Sequence, residues 1–176
     1  MKKLLLLLFF PLIGFCQISD LKLTIDGFEP IVIEVKGKSA KELYDSAYEW
    51  IIRNYNTPEI VIKAKIENEM IRIEGFQKDT HRYTLTGVDF SYNSTYSLTL
   101  SFKDGRYRFD FQILKVDLDN KNIRGYGYYP SGLYKKSGER RKHKMYNDMH
   151  SSLETTVNNL SKLLYDFIIN GAEDDW

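Results

Sequence analysis

Hydrophobic and polar positions along this chain follow two rhythms, a period of two over five short stretches and a helical period over two longer ones. Ile31, Ile33 and Val35 alternate with Val32, Glu34 and Lys36, which predicts a strand running into a turn at Gly37-Lys38. A helix is predicted directly after it. Ser39 with Glu42 three residues on forms a capping box, and Ala40, Leu43, Tyr44, Ala47, Trp50 and Ile51 recur at helical spacing. The stretch Asn54 to Pro58 ends that helix, because proline cannot continue it and restricts the residue before it. Ile60, Ile62, Ala64 and Ile66, then Ile71 and Ile73, predict a hairpin turning at Asn68-Glu69. That turn sets Ile66 opposite Ile71, Lys65 opposite Arg72, Ala64 opposite Ile73 and Lys63 opposite Glu74.

A second hairpin carries the strongest pattern. Tyr96, Leu98, Leu100 and Phe102 alternate with Ser97, Thr99 and Ser101, and after Asp104-Gly105 come Tyr107, Phe109, Phe111 and Ile113 alternating with Arg108, Asp110 and Gln112. Asp-Gly supplies the two positive-φ positions of a type I′ turn. The expected pairs are Phe102 with Tyr107, Leu100 with Phe109, Leu98 with Phe111 and Tyr96 with Ile113. A slip of one residue would bury Arg108 and Asp110.

Residues 117–147 lack periodicity and read as a long loop. A last helix is predicted from about Asn147 to Asn170, with Met149, Leu153, Val157, Leu160, Leu164, Phe167 and Ile168 on one stripe, Ser151 and Glu154 as a capping-box match, and Gly171 as its C-cap. Each strand offers one apolar face and each helix one apolar stripe. The fold class is therefore α+β, two layers, with a curved antiparallel sheet in the order β-α-β-β-β-β-α and both helices on one face.

The N-terminus has basic Lys2-Lys3, an apolar run from Leu4 through Phe15, and Gly14-Phe15-Cys16 before Gln17, the pattern of a secretory leader. The run is about half of the roughly 20 residues a membrane span needs. Cleavage between Cys16 and Gln17 leaves a periplasmic or secreted protein without cysteine, and with it no disulfide or thiol chemistry. The alternative is a lipoprotein acylated at Cys16, against which stands the bulky Phe15 before it. The expected organisation is a signal peptide over 1–16, an N-terminal extension over 17–29, one domain over 30–170, and an acidic tail over 171–176. No transmembrane helix is expected in the mature chain.

Composition allows one core, with 43% hydrophobic and 14% aromatic residues. Lysine and arginine total 25 against 24 acidic residues, and loss of Lys2 and Lys3 leaves 23 against 24. A nucleic-acid partner is disfavoured by that balance.

The stretch Val35 to Trp50 (VKGKSAKELYDSAYEW), a hairpin, and then Lys103-Asp104-Gly105-Arg106-Tyr107-Arg108 together resemble an exported bacterial family of Bacteroidota type. That family is a domain of unknown function, number 4468, with a TBP-like fold. The resemblance covers roughly residues 30–170 and implies a TBP-like sheet with helices on its convex side. It implies no activity, catalytic residue or cofactor. The solvent-facing positions Lys63, Lys65, Arg72, Glu74, Ser97, Thr99, Ser101, Arg108, Asp110 and Gln112 are of mixed charge, unlike a DNA-binding saddle.

Candidate chemistry is sparse. The histidines are His81, His143 and His150; His143 and His150, with Asp148 nearby, hold too few ligands to define a zinc site. Asp117 and Asp119 read as solvated charge, and no phosphate loop, nucleophile elbow or metal motif occurs, so no catalytic residue, metal or cofactor is assigned. The long loop stands out. Tyr126, Tyr128, Tyr129 and Tyr134 precede Arg140, Arg141, Lys142 and Lys144, and residues 135–144 hold six basic residues against one acidic. Aromatic and basic side chains together suit a protein, a glycan or an anionic envelope surface. Two functions follow: a non-enzymatic binding or structural module of the envelope, which the empty motif inventory favours, or a hydrolase of envelope polymers using carboxylates with His143 or His150.

The leader makes a direct prediction. Intact mass of the protein from soluble and membrane fractions of its host should show a soluble species starting at Gln17. A membrane species starting at an acylated Cys16 would replace that address with a lipid anchor.

Overall fold

The computed structural model describes residues 20–118 and 131–171. A short hairpin, β1 (Leu23–Thr24) and β2 (Gly27–Phe28), precedes strand β3 (Ile31–Glu34), helix α1 (Ala40–Asn54), the single turn α2 (Pro58–Val61) and strand β4 (Ile62–Ile66). Then follow β5 (Met70–Leu85), β6 (Val88–Lys103), β7 (Arg106–Leu118) and helix α3 (Lys144–Asn170). The main sheet has the order β3-β7-β6-β5-β4 with every neighbouring pair antiparallel. The helices cover one face, so the expected two-layer α+β arrangement is the observed one.

The β6–β7 register is the predicted one at all four pairs: Phe102 with Tyr107, Leu100 with Phe109, Leu98 with Phe111 and Tyr96 with Ile113. Leu98, Leu100 and Phe109 are fully buried, and each such side chain contributes on the order of 2 kcal/mol of burial. The Ser39–Glu42 capping box is formed. It is also latched to the β6–β7 turn. Ala40 N–H donates to Asp104 Oδ1 at 2.8 Å, Gly105 N–H to Lys38 O at 2.8 Å, and Val35 N–H to Gly105 O at 2.7 Å.

The first hairpin departs from expectation. Its loop has three residues, with Asn68 in the left-handed region at φ 61°, so Ile66 pairs with Met70, Lys65 with Ile71 and Ala64 with Arg72. Lys65 therefore sits on the helix side, with its ammonium 5.1 Å from the centre of the Tyr48 ring. A bulge between Ile62 and Ala64 restores the pattern, returning Ile62 opposite Ile73 and leaving Lys63 and Glu74 paired at 3.8 Å. Ile60 falls in α2 and is exposed, because Thr57-Pro58 starts a helical turn there.

The other departures all lengthen structure. β5 and β6 are each 16 residues and turn at Thr86-Gly87, both at positive φ. An irregularity between Gln77 and His81 bends β5, and Asn93 Oδ1 holds it by accepting from Asp79 N–H at 3.0 Å. α3 starts at Lys144, capped by His143, three residues earlier than the periodicity indicates. The segment before the main sheet is structured too: Leu21, Leu23 and Phe28 are buried in the core.

Polar side chains of α3 satisfy backbone groups that no strand reaches. Asn158 accepts from Leu21 N–H at 2.7 Å and donates to Leu21 O at 3.0 Å, while Glu154 accepts from Leu23 N–H at 2.9 Å. Ser152 Oγ accepts from Arg82 N–H at 3.2 Å and donates to Thr80 O at 3.1 Å, which closes the β5 edge beyond β4. Glu154 is thus a clamp on Leu23 and not the partner of Ser151 in a capping box.

Two predictions follow from the core. The Tyr96 ring lies across Gly75, where an added Cβ would meet Tyr96 Cζ at 2.5 Å, and its hydroxyl is 2.6 Å from that of Tyr55. Gly75→Ala should lower stability by about 1–3 kcal/mol in denaturant titration. Gly132→Ala, at a site with nothing within 4 Å, should leave it within about 0.5 kcal/mol. His81 is fully buried, beside Thr80 Oγ1 at 2.8 Å, and burial pushes its pKa down to about 3. Above pH 6.5 both folded and unfolded chains hold it neutral. Below that, the unfolded chain takes up a proton that the folded chain refuses, so stability falls as pH drops toward 3. His81→Gln should flatten this acid limb, whatever it does to stability at pH 7; an unchanged slope would assign the limb to other groups.

Candidate functional site

Residues 131–142 form a knuckle held by the core. Ser131–Leu133 make one tight turn, Leu133 and Tyr134 are buried, and Tyr134 pairs with Arg140 in a single antiparallel bridge. Lys135 N–H donates to Glu139 O at 2.8 Å and Gly138 N–H to Lys135 O at 3.0 Å, with Gly138 at φ 83° to close the turn. Arg141 N–H returns to Leu133 O at 2.9 Å. The stretch read from the sequence as irregular loop is, over this part, a tight reverse turn.

The knuckle sorts its own basic residues. Lys135 is 2.8 Å from Glu139, and Lys144 pairs with Asp148 at 2.5 Å. Arg141 donates from Nε to Tyr134 O at 3.1 Å and lies 5.3 Å from the centre of the Tyr146 ring. Lys136, Arg140 and Lys142 remain exposed, with no carboxylate within ion-pair distance among the described residues. Of the residues singled out in the sequence, Arg140 and Lys142 stand on this surface. Arg141 and Lys144 border it in partnered roles. Tyr126, Tyr128 and Tyr129 lie outside the described residues.

Tyr134 turns inward. Its hydroxyl donates to Leu23 O at 2.5 Å and lies 3.1 Å from His150 Nε2. Since the single phenolic proton goes to a carbonyl, His150 Nε2–H is the donor to the Tyr134 oxygen. His150 Nδ1 faces Glu154 Oε2 at 3.6 Å, and burial lowers the His150 pKa against the opposing pull of Glu154. This network joins β1, the knuckle and α3, and every member except Glu154 is buried. A buried Tyr–His–Glu row of this kind orders three segments and offers no open face to a substrate.

His143 sits apart from His150, exposed, accepting from Met145 N–H at the start of α3. The two histidines and Asp148 are not brought together, and among the described residues no three His, Cys, Asp or Glu side chains gather into a possible metal site. No described helix is long and apolar enough to cross a membrane.

Several clefts among the described residues lie against the sheet. One, of about 610 Å³, lies where β7 runs past the end of β3, between Asp26–Phe28 and Arg108–Leu114. Another, of about 560 Å³, lies between the far end of the β5–β6 hairpin and the start of α3, lined by Arg82, Tyr83, Asp89, Phe90, Lys144 and Asp148 among others. That hairpin end is a feature the sequence reading passed over. Its signal was present: Tyr83, Leu85, Val88, Phe90 and Tyr92 alternate about a Thr-Gly turn.

Comparison with known proteins bears on the fold. No curated protein matches the chain. A TBP-like protein from Parabacteroides distasonis superimposes with a TM-score of 0.61 at 13% identity, over 82% of this chain and 93% of that one. A DUF4468 family protein from Bacteroides ovatus does so with a TM-score of 0.57 at 14% identity, over 93% of this chain and 95% of that one. Residues 31–117, which run from the first strand of the main sheet to the end of the last, match the family described as a domain of unknown function (DUF4468) with TBP-like fold, and this chain belongs to it.

Proposed function

We propose that this protein is an exported, non-enzymatic binding module of the cell envelope, and that its basic knuckle meets an anionic partner. The observation that carries this reading is the contrast within residues 131–144. Leu133, Tyr134 and Arg141 are committed to holding the turn, whereas Lys136, Arg140 and Lys142 present three cations that the fold does not use. A positive surface on a rigid turn costs little ordering on binding, and its attraction to an anion is long-ranged and weakened by salt. The leader pattern supports the address. The inward Tyr134–His150–Glu154 row supports a binding role over hydrolysis, since it commits to architecture the one histidine–carboxylate pair among the described residues.

The triple variant Lys136→Ser, Arg140→Ser and Lys142→Ser should elute from an immobilised polyphosphate matrix at lower salt than the parent, each cation being worth about 1 kcal/mol near an anionic surface. Its thermal midpoint should match the parent's, because none of the three side chains makes a bond within the described fold. Identical elution would remove the knuckle from the binding surface.

A further inference from the structure

The far end of the β5–β6 hairpin projects past its neighbours. β4 pairs with β5 only as far as Ile73, and among the described residues β7 pairs with β6 no further than Tyr92. Among the described residues no further strand pairs with them beyond those points, and their cross-strand pairs sort the side chains cleanly. Thr84 opposite Asp89 and Arg82 opposite Ser91 make one polar face. His81 opposite Tyr92, Tyr83 opposite Phe90 and Leu85 opposite Val88 make one apolar face. Tyr83 stacks on Phe90 with ring centres 5.1 Å apart, which stiffens the projection.

Exposure along the apolar face rises toward the turn. His81 is buried, Tyr83 and Tyr92 are half-buried, Phe90 is 38% exposed, Leu85 42% and Val88 54%. Residues 83–88 hold no charged side chain. A run of apolar side chains this exposed at one tip marks an interaction surface. What flanks it indicates the partner. Tyr83 and Phe90 share a cleft with Asp79, Asp89 and the paired Lys144 and Asp148 at the start of α3, and Lys144 is two residues from Lys142 of the knuckle, exposed and with no ion pair among the described residues. Across 135–148 there are six basic residues against two acidic, while 78–91 balances two against two. An uncharged apolar tip beside a cationic shoulder matches the depth profile of a lipid leaflet, apolar inside and phosphate-bearing outside.

We infer that the Leu85–Val88–Phe90 tip inserts into the interfacial layer of an anionic phospholipid bilayer while the knuckle cations bind its phosphates. This rests on the anionic-partner reading of the knuckle and adds to it the identity of the partner and a second contact. Phe90 and Tyr83, rigidly stacked, lose little freedom on insertion, and Tyr83 keeps its hydroxyl at headgroup depth.

The test is co-sedimentation of the chain beginning at Gln17, which retains every described element, with vesicles of phosphatidylglycerol and phosphatidylethanolamine or of phosphatidylcholine alone. The parent should bind the anionic vesicles and not the neutral ones, with affinity falling as salt rises. Leu85→Ser with Phe90→Ser should weaken vesicle binding by about tenfold or more and leave elution from polyphosphate unchanged, because the tip contacts apolar chains and not phosphate. Binding to polyphosphate without binding to vesicles, or vesicle binding that ignores the tip variant, would overturn membrane insertion and keep the basic surface. Loss of both bindings in the parent would overturn the two readings together.

Discussion

The pairing of β6 with β7 is the constraint on which the rest of the structure depends. Its apolar face alternates strictly over four cross-strand pairs, so a one-residue slip of β7 would turn Arg108 and Asp110 toward the core and Phe109 toward water. Once that register is set, the turn joining the two strands is set as well. Asp104 then meets the N-terminus of α1, and Gly105 exchanges hydrogen bonds with Lys38 and Val35, so one turn fixes where the first helix begins and how β3 adds to the sheet edge. Local signals that look independent in the sequence, a capping box and an Asp-Gly turn, are two halves of one joint; only Gly105 of that turn has positive φ, at 75°, so it is not the expected type I′ turn.

The second organising device is the polar side of α3. A helix crossing a sheet ordinarily buries its apolar stripe and leaves its polar residues to water. Here Asn158, Glu154 and Ser152 turn to exposed backbone, of the N-terminal segment in two cases and of the β5 edge in the third. The N-terminal segment is thereby held as firmly as a sheet strand without joining the sheet. Tyr134 and His150 complete the clamp from the knuckle, which explains why that turn is ordered although its sequence is dominated by basic residues. Buried, hydrogen-bonded polar groups of this kind are costly to leave half-satisfied, so the three segments fold as a unit.

That economy clarifies which charged groups the described fold leaves unused. Eight of the ion pairs on the described surface are exposed or half-exposed pairs within one helix, strand or turn, each worth little to stability. Lys136, Arg140 and Lys142 belong to none of them. They precede the start of α3 in the chain, and Lys144 in the first turn of that helix lines a cleft with Tyr83 and Phe90 of the hairpin. A cationic turn and an apolar hairpin tip are features that folding stability does not require, and the proposed membrane contact rests on the two together.

By itself the sequence determined the α+β class, the capped first helix, the β6–β7 register and the apolar stripe of the last helix, because each is written in side chains that interact within a few residues or across one tight turn. It also marked the basic run at 135–144. Tertiary structure alone decided the rest. A three-residue turn at Asn68 and a bulge at Lys63 moved Lys65 to the helix side, since loop geometry and not alternation sets register where one strand is short. Only packing against α3 turned Tyr134 inward and gave Glu154 and Ser152 backbone partners more than 70 residues away. Local periodicity records which face of an element is apolar. It holds no record of which distant backbone group a polar side chain will meet, because that depends on where the chain returns.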